Sequence, residues 1–236
     1  MKRVLTIFSL VFSTLSYSQL SNEVSELVNK LSNFEQAESR FINYGGTESD
    51  VYKIYDSISK IASKKEVEYL AFNGAATVKL YFSNNLVDTK SKKLKDLFKY
   101  YLKNNDSVNV KQGCVVSTTT LVTELYSKIY NLPRHLVEME DLQQAIKSNK
   151  YPIDEQLKEI LDYKSKWNMK EAKKMVFEFD KIVLDDKNSP LGVVEYICKI
   201  NQYYENKIPY FQKLQFFEKK YNSKIIAEYI AFCENK

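Results

Sequence analysis

Residues 68–82 read EYLAFNGAATVKLYF, and this stretch is the strongest local indication of the fold. Apolar side chains recur every three or four residues on both sides of Gly74: Leu70, Val78, Tyr81 and Phe82. That spacing puts one apolar stripe on each of two helices, and glycine is common where a helix ends. The sequence therefore predicts two consecutive helices, over 65–73 and 75–87, joined by a short turn.

The same helical spacing recurs along most of the chain. Further helices are expected from near Leu20, Thr47, Lys92, Ser117, Asn168, Ser189, Pro209 and Ser223. The five glycines and four prolines are too few for a turn-dense β fold. A β-branched run over 115–120 leaves room for one short strand. The predicted fold class is all-α, with antiparallel helix pairs stacked in series.

The turn at Gly74, followed by the pair Val78-Lys79 and further apolar positions, resembles a HEAT-type helical repeat. With Leu97, 106–108, 113–115 and a helix over 117–130, the order is similar to exported, uncharacterised bacterial proteins with a degenerate HEAT-like region. The resemblance covers 66–130 and, more loosely, 190–236. It implies a HEAT-like α-solenoid or irregular helical array with a surface for a protein partner, and it brings no catalytic residues.

The N-terminus has the pattern of a secretory signal. Lys2 and Arg3 are followed by an apolar run over 4–12 and by small and polar residues up to Gln19. The run is shorter than the roughly 20 residues that span a bilayer, and no later stretch is long and apolar enough. We expect a signal peptide over 1–18 and an exported bacterial protein, periplasmic or extracellular, with no transmembrane anchor in the mature chain.

The mature chain, 19–236, is expected to form a single helical repeat-like domain. Pro133 and Pro152 frame a weaker, more acidic stretch, which predicts a weak hinge near 131–152. The segment 132–135, Leu-Pro-Arg-His, is interpreted as a turn because proline disfavours a helix interior.

Charge and composition exclude several classes of function. The formal net charge is +5, and only three basic residues are arginines. Because arginine supplies the bidentate contacts to phosphate and guanine, no nucleic-acid partner is predicted. The lysine-rich run over 90–95 is interpreted as a solvated helix start. With one histidine and no metal-ligand spacing, neither a metal nor any other cofactor is predicted.

The three cysteines have separate interpretations. Cys114 with His135 is the one candidate nucleophile–base pair, but no signature surrounds either residue, so no catalytic residue is predicted. Buried packing is the favoured role of Cys114. Cys198 and Cys233 lie on C-terminal helices and form one candidate disulfide.

Aromatic residues crowd the last forty positions, and most are expected in the core. Tyr203 and Tyr204 are the candidates for partner contacts, since tyrosine is frequent in protein interfaces. The predicted function is a non-enzymatic exported binding or scaffold protein that mediates protein–protein contacts in the bacterial envelope. One alternative is a periplasmic immunity or inhibitor protein against a secreted toxin. A second alternative is a cysteine-dependent hydrolase.

Overall fold

A computed structural model describes residues 19–148 and 155–235. Over these residues the chain forms eleven α-helices, one 3-10 turn and a four-stranded sheet. The signal peptide predicted over 1–18 lies outside the described residues.

The elements are as follows in chain order. The helices are α1 (Asn22–Ser32), α2 (Asp50–Ile61), α3 (Lys64–Asn73), α4 (Ala76–Asp88), α5 (Leu94–Asn104), α6 (Leu121–Ser148), α7 (Glu155–Asp162), α8 (Met169–Asp185), α9 (Leu191–Tyr203), α10 (Leu214–Tyr221) and α11 (Lys224–Asn235), with the 3-10 turn at Phe211–Lys213. The strands are β1 (Gln36–Ile42), β2 (Thr47–Glu48), β3 (Ser107–Gly113) and β4 (Val115–Thr120).

The all-α prediction is therefore right for the helices and wrong for the sheet. The strand order is β2-β1-β3-β4, with β1 antiparallel to β2 and parallel to β3. Only the run over 115–120 was expected to hold a strand. The two buried residues of β1, Ala37 and Ile42, are too few and too widely spaced to produce a clear alternating pattern.

Contacts divide the chain into two compact units. Unit 1 contains the described residues up to Asn85 together with Val108–Thr118, and unit 2 contains Leu86–Ser107 and the described residues from Thr119 onward. The single domain expected over 19–236 stays a prediction, and so does the solenoid arrangement.

In unit 1, the sheet is tied to α4 through one tyrosine. The buried Tyr81 hydroxyl donates to the backbone oxygen of Glu38 at 2.7 Å and accepts from the Glu38 backbone N–H at 2.8 Å. The Glu38 side chain accepts a hydrogen bond from Ser49 Oγ at 2.6 Å. Across the parallel pair of strands, Glu38 on β1 is the register partner of Lys111 on β3. These bonds give the polar residues of β1 their partners inside unit 1.

The α3–α4 pair confirms the two helices predicted around Gly74. The helix α3 begins with a capping box between Ser63 and Glu66. At its end, a Cβ on residue 74 would lie 2.5 Å from Val78 Cγ1, so the turn needs glycine for close packing rather than for backbone freedom. Leu70 and Phe82 are buried, as the apolar stripes predict.

Replacing Glu66 with glutamine should destabilise unit 1 by about 2 kcal/mol at pH 7. The carboxylate accepts from the backbone N–H of Ser21 at 2.6 Å, and from both the N–H and the hydroxyl of Ser63 at 2.8 and 2.7 Å. These bonds, led by the one from Ser21, lower the pKa of Glu66 to about 2.

Because the folded-state pKa lies below the ordinary value of 4.5, this stabilisation is complete above pH 4.5 and is lost as pH falls toward 2. Urea unfolding followed by circular dichroism at pH 7 and pH 3 measures it. The difference between E66Q and the original chain should shrink at pH 3. The exposed Glu35→Gln is the control, and an equal effect of both changes would contradict the capping role.

Unit 2 is built around the long helix α6. Its buried residues Ile129, Leu132 and Leu136 stand on both sides of Pro133, and the helix continues through the proline. The turn expected over 132–135 is therefore wrong, because burial of this face outweighs the hydrogen bond that proline cannot donate. The hinge near 131–152 stays a prediction, and 149–154 lie outside the described residues.

The other helices of unit 2 enclose the same core. The helix α6 packs on α5, α7, α8 and α9, while α11 packs on α9 and α10. Trp167, the one tryptophan of the chain, is buried here and donates from Nε1 to the Val87 oxygen at 2.7 Å. Among the described helices, none combines the length and apolar character that a membrane crossing requires.

Candidate functional site

Unit 2 contains an open cleft of about 350 Å³ between α6, α8, α9 and the loop after α9. We call it the Tyr204 cleft. Its lining combines aromatic, apolar, amide and cationic side chains: Tyr130, Asn131, Pro133, Arg134, Lys173, Val176, Asn201, Tyr204 and Asn206. Its volume is at the lower end of the range of small-molecule and side-chain pockets.

The floor of the Tyr204 cleft is a fixed hydrogen-bond network. The Tyr130 hydroxyl donates to Asn201 Oδ1 at 3.2 Å and accepts from Asn206 Nδ2 at 3.0 Å. Asn201 is buried and donates from Nδ2 to the Ile197 oxygen at 2.9 Å. Burial is the main cause that raises the pKa of Tyr130, so this hydroxyl stays protonated and serves as a rigid donor.

One wall of the cleft is an oriented arginine. The guanidinium carbon of Arg134 lies 4.9 Å from the centre of the Tyr204 ring, an arrangement typical of cation–π contacts. Nη2 donates to Asn131 Oδ1 at 2.7 Å, and Nε lies 3.4 Å from a carboxylate oxygen of Glu138. The Tyr130 ring stacks on Tyr204 at a centroid distance of 6.3 Å. These contacts place the guanidinium of the exposed Arg134 over the Tyr204 ring.

Positive charge in the cleft is only partly neutralised. Over the described residues, none accepts a hydrogen bond from Arg134 Nη1, and Lys173 on α8 forms no ion pair. Pro133 and Val176 supply apolar surface beside these cations. The arrangement suits an anionic group that is attached to an apolar one.

The two tyrosines predicted to contact a partner lie at this cleft. Tyr204 is one of its lining residues, and the ring of Tyr203 meets that of Tyr204 edge-on at 4.8 Å. Tyr203 is 77% exposed. Arg134 and Lys173 were not predicted as site residues, although the i, i+4 spacing of Tyr130 and Arg134 on a continuous helix would have placed those two side chains together.

A second polar cluster in unit 2 is buried and belongs to the core. Asp180 accepts from the Tyr126 hydroxyl at 2.5 Å and from the Tyr210 hydroxyl at 2.8 Å. Burial raises the pKa of Asp180 to about 6, and the two hydroxyl donors oppose this shift. Asp180 is only 4% exposed and does not line the cleft, so its role is structural.

The lysine run over 90–95 lies beside Trp167 in a second cleft of about 380 Å³. Here the charges are paired: Lys90 with Glu171, and Lys95 with Glu178 at 2.6 Å. The pairing leaves less free positive charge on this run than its lysine content suggests. The interpretation of the run as a solvated helix start stays a prediction.

The cysteines and the histidine lie outside the Tyr204 cleft. Cys114 forms the exposed turn between β3 and β4 in unit 1, so the packing role expected for it is wrong. His135 lies on α6 in unit 2, where its ring meets Tyr163 edge-on at 6.0 Å.

Cys198 and Cys233 are buried on α9 and α11, two helices that pack together. Burial raises the pKa of Cys198, and the neighbouring Cys233 adds to the effect. The disulfide between them stays a prediction.

Over the described part of the chain, no group of three or more His, Cys, Asp or Glu side chains is arranged to hold a metal ion. No protein-family model, curated protein or solved structure matches the chain.

Proposed function

We propose that this chain is a non-enzymatic exported binding protein that contacts a protein partner through the Tyr204 cleft and the adjoining Tyr203. The observation that supports the proposal most strongly is the cleft itself. It combines an oriented arginine with an aromatic wall, and an exposed tyrosine lies next to it. Arginine and tyrosine are among the residues that contribute most binding energy in protein interfaces.

The rigidity of the cleft favours binding further. Tyr130 and Asn201 are already held by neighbouring groups, so these two side chains lose little entropy when a partner docks. Tyr203 projects into solvent beyond the cleft, which favours a partner larger than the cleft volume. Export to the bacterial envelope and a HEAT-like scaffold remain parts of this proposal.

Site-specific photo-crosslinking tests the proposed surface. The full chain would carry p-benzoylphenylalanine at Tyr203 or, as the control, at Phe216, which is 40% exposed on α10. After incubation with an envelope extract of the source organism and irradiation, we expect a discrete adduct from position 203 that position 216 does not give. Absence of an adduct, or the same adducts from both positions, would contradict the proposal.

Tyr204→Ala should weaken binding of the crosslinked partner by about tenfold or more, because it removes the aromatic wall and the support of Arg134. Titration with the purified partner by isothermal calorimetry measures the change, and circular dichroism checks that the variant is folded. An unchanged dissociation constant in the folded variant would count against the cleft. If the partner is a secreted enzyme that the chain blocks, the function is inhibition, the alternative from the sequence.

A further inference from the structure

We propose that the group which enters the Tyr204 cleft is a carboxylate, carried by an aspartate or glutamate of the protein partner and flanked by an apolar side chain. The inference rests on the proposed function and specifies the chemistry of the partner. Its basis is the juxtaposition of Arg134 and Lys173 with an apolar and aromatic wall.

The cations define the sign of the ligand. Nε of Arg134 faces Glu138 and one Nη2 hydrogen goes to Asn131, so both Nη1 hydrogens and the second Nη2 hydrogen remain available to a ligand. Lys173 lines the same cleft and forms no ion pair with any described residue. Two cationic side chains that line one cleft favour a ligand with an anionic oxygen. Hydrogen bonds between a charged donor and a charged acceptor are stronger than those between neutral groups.

The facing acidic group limits the charge that the cleft accepts. Glu138 lies 3.4 Å from Arg134 Nε and is itself largely exposed. A polyanion would bring several negative charges close to this carboxylate, whereas a single carboxylate can approach from the Nη1 side. The cleft therefore fits one negative charge better than a phosphorylated or nucleic-acid ligand.

The apolar wall defines what lies next to the carboxylate. Tyr204, Pro133 and Val176 line the cleft beside the two cations. An apolar neighbour of the acidic residue can pack on this wall and remove it from water. The exposed Tyr203 extends the contact surface outside the cleft, as a peptide segment of a protein partner requires and a small carboxylate does not.

Selection from a library of random 12-residue peptides tests the inference without a known partner. The full chain is immobilised, and peptides that bind are sequenced and then synthesised with the acidic residue intact or replaced by its amide. We expect enrichment of an aspartate or glutamate next to an apolar or aromatic residue. The amide peptide should bind about tenfold more weakly or worse, and affinity should fall as salt is raised.

Three variants locate the effect. Arg134→Gln and Lys173→Gln should each lower the affinity for the acidic peptide several-fold or more. The affinity for the amide version of the peptide should stay nearly unchanged. Lys219→Gln makes the same charge change on α10, away from the cleft lining, and should change both affinities little. Lys173 is exposed and has no described partner, so its replacement tests the inference even if Arg134→Gln fails to fold.

The outcomes separate the inference from the proposed function. If the enriched peptides lack an acidic residue but bind Tyr204→Ala more weakly, the inference of a carboxylate ligand is wrong. The Tyr204 cleft would still be the binding surface. Peptides whose binding is indifferent to Tyr204→Ala, or no enriched peptide at all, would overturn both. If Lys173→Gln and Lys219→Gln weaken binding of the acidic peptide equally, the effect comes from the net charge of the protein and not from the cleft. That result would also reject the inference.

Discussion

Replacing Phe179 with alanine should lower the free energy of unfolding of unit 2 by about 4 kcal/mol. Phe179 on α8 is fully buried, and its ring stacks on Phe98 of α5 at a centroid distance of 4.0 Å. Alanine removes both the apolar surface and this stacking, and it leaves a cavity that the packed helices fill incompletely. Urea unfolding followed by the fluorescence of Trp167, which reports on unit 2, measures the change.

The same helix provides a matched control. Phe177 is 44% exposed and meets Tyr210 edge-on at 5.3 Å, so Phe177→Ala should cost about 1 kcal/mol. The double variant with Phe98→Ala should cost less than the sum of the single changes, because the two rings share one cavity. Equal losses at positions 177 and 179 would contradict the packing of α5 on α8.

Helices were predictable because their apolar periodicity is strong and local. The stripe with Val78 and Phe82 on α4, and the capping signal at Asn168 before α8, both correspond to observed helices. Pro133 was misleading because the hydrogen bond that proline removes is a local cost, while the burial of Leu132 and Leu136 is decided by distant segments.

The sheet was harder to predict because its main pairing is not local. Gln36 on β1 is the register partner of Asn109 on β3, far along the chain. Two alternating buried valines, Val108 and Val110, gave a short strand signal in β3 that the helical pattern around it obscured. The polar β1 is stabilised by partners such as Tyr81, which only the fold reveals.

The candidate site was predictable only at its aromatic edge. Tyr203 and Tyr204 stand out by composition, whereas Arg134 and Lys173 come from two other helices that meet in unit 2. A sequence pattern shows the spacing of residues within one helix. It does not show which residues of three different helices come together in the fold. The interpretation of 132–135 as a turn also removed Arg134 from the helix face that it shares with Tyr130.

Asp180→Ala should destabilise unit 2 by about 3 kcal/mol at pH 4.5. The change leaves the buried hydroxyl of Tyr126 and the half-buried hydroxyl of Tyr210 without the carboxyl oxygens to which they donate, and an unpaired buried group carries a desolvation cost. Asp141→Asn, at an exposed position of α6, is the control and should have little effect. Trp167 fluorescence during urea unfolding measures both variants.

The stability of unit 2 in the original chain should depend on pH through Asp180. Because burial raises the pKa of Asp180 from 3.8 to about 6, folded unit 2 binds this proton more tightly than the unfolded chain does. The stabilisation is complete below pH 3.8 and is lost as pH rises through about 6, so Asp180 should contribute about 2 kcal/mol more at pH 4.5 than at pH 7.

Asp180→Asn, which resembles the neutral acid in shape, isolates this contribution. Burial also raises the pKa of Glu124, but that group titrates in both proteins and cancels in the comparison. The stability difference between the original chain and D180N should therefore shift by about 2 kcal/mol in favour of the original chain between pH 7 and pH 4.5. A difference that stays constant over this interval would mean that Asp180 is ionised throughout and is more hydrated than its burial between Tyr126 and Tyr210 indicates.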